Sequence, residues 1–273
     1  MKNVLKGRKT MRKQTIMMLI ACGIAGCTPE LSDAIEFDYA CADKEVKLSN
    51  DEMPPTCAVH LQLAYATDRN GDKADVINSA IQKEFLDMGE LTMQQAVDSF
   101  ASSYASSYIK NFLPLYNQDR SDTTKRSWYN YHYVITTQTQ PGGKSTTAYI
   151  ATIDYFEGGA HGINQQKIMT FDNKTGHRVL LDDMFVSGYE GQLSAFLQEA
   201  LCEKTGAESL KDLREQGYLF SMDMFPAKNF IFNDETITFI YNPYEIASYD
   251  KGSTELTLPL STLSGILKQE YRP

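Results

Sequence analysis

The chain has 273 residues, of which 42% are hydrophobic and 22% are charged. This composition is typical of a globular protein, and it excludes a disordered, collagen-like or coiled-coil chain. A chain of this size buries roughly 70 to 75% of its unfolded surface, so it can form a sizeable core without disulfide bonds.

Charge is distributed unevenly along the chain. All the charged residues within 1–26 are basic, namely Lys2, Lys6, Arg8, Lys9, Arg12 and Lys13. The rest of the chain therefore holds 20 basic against 35 acidic residues, a net charge of -15. Such a surface repels nucleic acids and attracts cationic partners. We expect no nucleic-acid binding; the acidity either attracts a cationic partner or simply keeps the protein in solution.

The N-terminus has the features of a bacterial lipoprotein signal peptide. After the basic residues comes an apolar run over 16–27, which fits a signal-peptide core of about 7 to 15 residues. A membrane-spanning helix needs about 20 apolar residues. The tetrapeptide Ile24-Ala25-Gly26-Cys27 resembles the lipobox, in which the cysteine is acylated and becomes the new N-terminus. Cys22 follows a similar tetrapeptide, but cleavage there would leave a much shorter apolar run.

These features predict a signal peptide over 1–26, a lipid anchor at Cys27 and a tether over 27–33. Acyl chains contribute about 0.8 kcal/mol per buried methylene, so several of them hold a domain firmly on a membrane. We therefore expect an extracytoplasmic location in the bacterial cell envelope, on the periplasmic face or the cell surface.

Residues 34–140 form the first predicted half of the domain. Alternating side chains predict strands from Ile35 toward Leu48 and over 57–66. Helical periodicity then predicts one helix ending near Gly89 and a second that is capped by Thr92 and stopped by Pro114.

Residues 141–273 form the second predicted half, which packs with the first. The β pattern resumes at Trp128, before the end of the first half, and continues into the second. A helix is predicted over 189–204. The further predicted strands are 146–156, 168–171, 229–232, 236–241 and 254–258. Runs of strands interrupted by separate helices favour an α+β fold with a mostly antiparallel sheet and helices segregated to one side.

Cys41 and Cys57 lie in two strand patterns separated by a turn segment over 49–55. A hairpin could bring them together, and an exported protein meets oxidising conditions. We therefore predict, as a hypothesis, a disulfide between them.

Most catalytic and cofactor signatures are missing from the sequence. There is no dinucleotide or phosphate loop, no nucleophile elbow and no His-Glu-x-x-His motif. The histidines are scattered without the close spacing of a local metal site: His60, His132, His161 and His177. We expect no metal and no cofactor.

Residues 157–162 form a glycine-rich loop that contains Glu157 and His161. Glycine permits close approach of a ligand to backbone amides, which favours a binding site. A tight connection between two strands requires the same glycines, so both interpretations remain open.

The segment 241–252 follows a predicted strand and holds three tyrosines. Tyrosine has a large rigid ring with a hydrogen-bonding tip, which is enriched on contact surfaces. The predicted contact residues are Tyr241, Pro243, Tyr244, Glu245 and Tyr249, together with Glu157 and His161. Core packing is the alternative for at least one of the tyrosines.

The same segments carry a family resemblance. The glycine loop 157–162, the motifs at 170–176 and 181–185 and the tyrosine segment resemble the RsiV-like extracytoplasmic domain family, over about 145–267. Residues 34–140 match the PdaC-type half of these domains more loosely. The resemblance implies an α+β envelope domain, and some members of the family bind lysozyme.

Two departures limit what the resemblance implies. Only about 15 residues precede the short apolar run, so a cytoplasmic sigma-binding segment is not expected. A polysaccharide deacetylase domain with metal-ligand motifs does not follow Pro273, so deacetylase activity is not expected either.

Two functional hypotheses follow. The preferred one is a lipid-anchored, noncatalytic binding domain, a receptor or decoy for a cationic envelope protein such as a lysozyme-like muramidase, or for a peptidoglycan glycan. The alternative is a cell-wall glycan hydrolase or deacetylase-related enzyme that uses Glu157 and His161. No catalytic residues are assigned under the preferred hypothesis.

Overall fold

The structure is a computed structural model that describes residues 34–159 and 161–273. The predicted signal peptide, both candidate lipobox cysteines and the tether over 27–33 lie outside the described residues. No helix in the described part of the chain is long and apolar enough to span a membrane.

Six strands form the larger sheet in chain order: β1 (Phe37–Lys47), β2 (Thr56–Ala66), β3 (Tyr131–Pro141), β4 (Thr146–Phe156), β5 (Ile163–Asp172) and β6 (Arg178–Val179). Neighbouring strands are antiparallel except for β2 and β3, which are parallel. A parallel pair needs a crossover, and two helices supply it. They are α1 (Lys73–Phe85) and α2 (Met93–Asp119).

One face of this sheet packs against α1 and α2. Alternation in β2 buries Val59, Leu61 and Leu63 on this face, and Ile77 and Ile81 of α1 lie in the same core. The helix α2 begins with a capping box in which Thr92 and Gln95 satisfy each other's backbone amides.

A smaller antiparallel sheet contains β7 (Phe230–Phe232), β8 (Thr236–Tyr241) and β9 (Thr254–Pro259). Its inner face forms a second core with the helices α3 (Leu181–Met184), α4 (Glu190–Thr205) and α5 (Leu210–Glu215). Its other face lies on the larger sheet, where a cluster of isoleucines fills the contact: Ile150, Ile168, Ile231 and Ile240. The order of layers is therefore helix, sheet, sheet, helix, within one compact unit.

This architecture confirms the predicted α+β class and the mostly antiparallel sheet. The two hydrophobic cores divide later in the chain than residue 140, because the first core extends to Phe171 and the second begins at Val179.

Two predicted boundaries are wrong. Pro114 lies inside α2 instead of ending it. Proline removes one helical hydrogen bond, but Tyr116 in the following turn is buried, packs edge-on against Tyr129 at 5.4 Å and donates a hydrogen bond to Asp51 at 2.9 Å. These contacts stabilise the helix beyond the proline. Trp128 precedes β3 and lies in a 3-10 segment, Thr123–Tyr129.

The predicted disulfide between Cys41 and Cys57 is also wrong. The two residues do lie on the paired strands β1 and β2, but the register places Cys57 opposite Val46 and Cys41 opposite Gln62. Val46 is an odd number of residues from Cys41, so the two cysteines project from opposite faces of the sheet. Both thiols are free, with Cys57 buried and Cys41 exposed.

Candidate functional site

Two asparagine side chains attach the smaller sheet to the free edge of β5. Asn242, directly after β8, accepts a hydrogen bond from the Gln166 amide at 2.7 Å and donates to the Gln166 carbonyl at 2.8 Å. Asn229, just before β7, accepts from the Ile168 amide at 3.1 Å and also donates to the Gln166 carbonyl, at 3.0 Å. Because β6 pairs only with Thr170 and Phe171, these side chains take the place of a neighbouring strand.

A tight turn follows Asn242 and presents Tyr244 to solvent. The Glu245 amide donates to the Asn242 carbonyl at 3.1 Å, and the Glu245 carboxylate accepts from the Asn242 amide at 2.8 Å. Tyr244 has a φ of +73°, and its side chain is 57% exposed. Pro243 is half-buried in the same turn. Glu245 therefore shapes the turn, which holds Tyr244 in an otherwise unfavourable left-handed conformation.

His161, Tyr244 and Tyr249 form a stack of exposed and half-buried rings, which we call the aromatic face. The imidazole of His161 lies 3.9 Å from the Tyr249 ring, centroid to centroid, with an angle of 15° between the planes. The Tyr244 hydroxyl is 3.0 Å from His161 Nε2, and the Tyr244 and Tyr249 rings are 5.7 Å apart. The glycine loop before β5 and the turn after β8 thus meet, because the asparagines hold β8 against β5.

A shallow cleft of about 370 Å³ adjoins the aromatic face. It is lined by Phe220, Met222, Tyr244, Glu245, Ile246 and Ser248, among others. Phe220 is 62% exposed and Met222 is 42% exposed. Apolar side chains grouped on a surface mark a contact site more often than scattered ones do.

Negative charge lies beside the aromatic face. Asp250 accepts a hydrogen bond from the Ser248 hydroxyl at 2.5 Å, and this bond lowers the pKa of Asp250. Asp250 therefore stays ionised next to Tyr249 at neutral pH. A cationic or hydrogen-bond-donating ligand suits this edge.

Glu157 is directed elsewhere. Its carboxylate accepts a hydrogen bond from the hydroxyl of Tyr104 on α2, beside a half-buried cluster that includes Tyr131 and Tyr133. Burial, followed by the hydrogen bond to Glu157 and its charge, raises the pKa of Tyr104, so this tyrosine remains a neutral donor. Of the three residues Glu157, His161 and Tyr244, the described contacts join only His161 and Tyr244.

Tyr241 is a core residue, and its assignment to the contact surface is wrong. Its side chain is fully buried in the second core, and its hydroxyl donates to the Phe225 carbonyl at 2.6 Å. Burial raises the pKa of Tyr241. Tyr241 is the last residue of β8 and faces inward by alternation, so the tyrosines of this segment divide between core and surface.

Sequence reasoning missed the asparagines and the apolar rim of the cleft. Asn229 and Asn242 flank the strands β7 and β8, where an asparagine also fits an ordinary turn. The rim comes from Phe220 and Met222, which belong to a stretch without helical or strand periodicity. Several apolar side chains close together in a stretch without periodicity could have predicted an apolar surface patch.

The fold and the exposed rings define a class, an α+β domain with an aromatic face at its surface. The model of the family described as "Protein of unknown function (DUF3298)" matches residues 182–261, which include Tyr244 and Tyr249. No curated protein matches the chain.

Two crystal structures of DUF3298 family proteins resemble the whole domain. A member from Bacteroides fragilis is 26% identical with a TM-score of 0.80, over 88% of this chain and 96% of that chain. A protein from Pseudomonas aeruginosa is 17% identical with a TM-score of 0.60, over 89% of this chain and 99% of that chain. The second likeness concerns the fold alone.

Proposed function

We propose that this chain is a noncatalytic binding domain of the bacterial cell envelope, attached to a membrane by lipid at Cys27. It acts as a receptor or decoy, and its ligand is a cationic envelope protein such as a lysozyme-like muramidase, or a peptidoglycan glycan. The ligand contacts the aromatic face and the adjoining cleft.

The observation that carries the proposal is the stack of the exposed His161 and Tyr244 rings with the half-buried Tyr249 ring. Aromatic residues dominate the energetics of binding surfaces when they lie in a small apolar patch with a polar rim. The stack has such a patch beside it at Phe220 and Met222. The turn around Tyr244 is held by hydrogen bonds, so little conformational entropy is lost when a ligand binds.

Charge supports the cationic partner. The chain beyond residue 26 carries a net charge of -15, which accelerates encounters with a cationic protein and makes them sensitive to salt. The resemblance to RsiV-like domains supports the same class of partner.

Binding is tested by mixing the purified chain with cationic muramidases and with peptidoglycan fragments, at low and at moderate salt. We expect binding to at least one of them, and a loss of at least tenfold in affinity for Tyr249→Ala. Tyr39→Ala is the matched control, because Tyr39 is an exposed tyrosine on β1, away from the aromatic face. Absence of binding throughout, or equal losses in both variants, contradicts the proposal.

The anchor is tested separately by labelling cells with a radioactive fatty acid. Cys27→Ser should abolish labelling and release the protein from the membrane fraction. Cys22→Ser is the control, since Cys22 is the other candidate lipobox cysteine. Labelling that is lost in Cys22→Ser and kept in Cys27→Ser would show that Cys22 carries the lipid. A wild-type protein without label would show that the chain has no lipid anchor.

A further inference from the structure

A second cleft, which we call the polar cleft, lies at the free edge of β5 and has a volume of about 400 Å³. It is lined by residues 165–167 of β5, the irregular segment 225–229, Asn242 and Glu245. Glu245 also lines the cleft beside the aromatic face, so the two clefts adjoin at this residue. Most of the residues around the polar cleft are polar or charged, which suits a ligand of a different kind.

The asparagines close the backbone edge of β5 within the polar cleft. Asn242 binds both the amide and the carbonyl of Gln166, and Asn229 binds the Gln166 carbonyl and the Ile168 amide. These backbone groups are therefore not free to pair with an added strand. A ligand in the polar cleft is recognised by side chains instead.

Two lysines bring positive charge to the polar cleft. Lys167 and Arg178 both form ion pairs with Glu84 of α1, so two cations face one carboxylate and one positive charge is left over. An ammonium has three donors, so Lys167 can still bind a further acceptor. Lys228 is exposed and has no ion pair within the described part of the chain. An anionic ligand group such as a carboxylate suits these lysines.

Glu245 adds a negative charge to the same cleft. One of its carboxylate oxygens accepts the Asn242 amide at 2.8 Å. The other oxygen, Oε1, has no hydrogen-bond partner among residues 34–159 and 161–273. A carboxylate accepts several hydrogen bonds, so Glu245 can also bind an ammonium or an N–H group of a ligand. Its position is already set by the turn, which reduces the entropy lost on binding.

Neutral groups complete the polar cleft. Gln165 lies on the same face of β5 as Lys167 by alternation, and its side-chain amide has no hydrogen-bond partner among the residues that the structure describes. Such an amide can both donate to and accept from a peptide group. Phe225 is 38% exposed and lines the cleft together with Pro226, so a small apolar side chain also finds a contact here.

We propose that the polar cleft binds a short peptide with a free C-terminal carboxylate. The carboxylate lies against Lys167 and Lys228, and a peptide group meets the Gln165 amide. The terminal ammonium or a peptide N–H donates to Glu245. The volume of the cleft lies within the range of about 300 to 1,000 Å³ that is usual for small-ligand sites.

A peptide end fits this cleft better than a neutral glycan or an inorganic anion. It carries a negative charge, N–H donors and amide groups together, which is the complement of the two lysines, Glu245 and Gln165. A neutral glycan has no charge for the lysines, and an inorganic anion has no donor for Glu245. This ligand is separate from the one at the aromatic face, so the inference goes beyond the proposed function.

The experiment is a calorimetric titration of the purified chain with three peptides: trialanine, trialanine with a C-terminal amide, and trialanine with an acetylated N-terminus. We expect the C-terminal amide to bind about tenfold more weakly than trialanine, because it loses the charge-assisted hydrogen bonds to the lysines. Acetylation removes the terminal ammonium but leaves an N–H for Glu245, so its effect should be smaller. Acetate is titrated as the simple anion.

Lys228→Gln should weaken the binding of trialanine about tenfold and leave the binding of the C-terminal amide unchanged, because only the carboxylate needs the charge of Lys228. Lys44→Gln is the matched control. Lys44 is an exposed lysine on β1 that does not line the polar cleft, and its substitution changes the net charge equally. Since both lysines are exposed, both variants should keep the wild-type unfolding temperature.

Equal binding of trialanine and its C-terminal amide would overturn the inference, as would equal losses in Lys228→Gln and Lys44→Gln. Acetate that binds as tightly as trialanine would show a simple anion site, which also overturns it. Failure of all three peptides to bind has the same meaning. None of these results decides the proposed function, because muramidase and glycan binding are measured with Tyr249→Ala at the aromatic face.

Discussion

The two ends of the glycine loop contact two groups of aromatic residues with opposite character. At one end, Glu157 binds Tyr104 in a half-buried cluster that joins α2 to the larger sheet. At the other end, His161 stacks on Tyr249 in an exposed face that joins the loop to the smaller sheet. Proximity in sequence therefore did not create a shared site; one end stabilises the fold, and the other is available for a ligand.

The first test of this contrast is the pair Tyr104→Ala and Tyr249→Ala. Loss of the Tyr104 ring leaves a cavity beside Tyr133 and Phe100, and we expect a cost of about 3 kcal/mol in the free energy of unfolding. Tyr249 is half-buried and packs on the exposed His161 ring, so loss of its ring should cost only about 0.5 kcal/mol. Denaturant unfolding measures both. Equal costs would mean that the aromatic face is also a structural cluster.

The second prediction concerns the asparagines that place the aromatic face. Asn242→Ala leaves the Gln166 amide without its hydrogen-bond partner, and we expect a loss of about 2 kcal/mol in stability. Asn164→Ala is the control, because Asn164 lies on the same strand but only donates to Asp154 at an exposed site. Thermal or denaturant unfolding measures the stability of the two variants. Equal stability would show that Asn242 does not hold the smaller sheet.

Glu157→Gln should have a smaller effect. The amide oxygen still accepts the Tyr104 hydroxyl, but the bond loses its charge, and we expect about 1 kcal/mol of destabilisation. Because Glu157 is placed beside Tyr104, muramidase binding at the aromatic face should not change. If a stably folded Glu157→Gln variant loses muramidase binding, both ends of the loop contribute to one binding site, which contradicts this prediction.

The reactivity of the two cysteines gives a further comparison of a buried and an exposed position, and it requires no mutation. Burial, and then the charge of Glu157, raises the pKa of Cys57 to about 11, so its thiol stays protonated at neutral pH. A thiol reagent at neutral pH should modify Cys41 quickly in the native protein and Cys57 only after unfolding. If mass spectrometry finds that neither Cys41 nor Cys57 reacts, and that the native protein is two hydrogens lighter than the reduced protein, the two cysteines form a disulfide after all.

The sequence predicted those features that depend on local periodicity. Alternation identified β2 and the strands of the smaller sheet, and the Thr92 cap marked the start of α2. It did not predict the register that separates Cys41 from Cys57, because register depends on the pairing of whole strands.

The candidate site was predicted only in part, for a related reason. His161, Tyr244 and Tyr249 were found from their residue types, and their meeting depends on long-range bonds from Asn242 to β5. Tyr241 and Tyr244 are both tyrosines. Tyr241 belongs to the core only because its position in β8 directs its side chain inward. Residue type suggests chemistry, whereas strand pairing and turn conformation decide which side chains share a surface.

The most direct test of the account is a histidine NMR titration of the purified chain with whichever muramidase or glycan it binds. The chain has four histidines, and of these only His161 lies in the aromatic face. We predict that the His161 ring resonances shift as the ligand is added while those of His60, His132 and His177 stay in place. Binding that leaves His161 unchanged, or that shifts His60 or His132 instead, would contradict the assignment of the aromatic face as the binding surface.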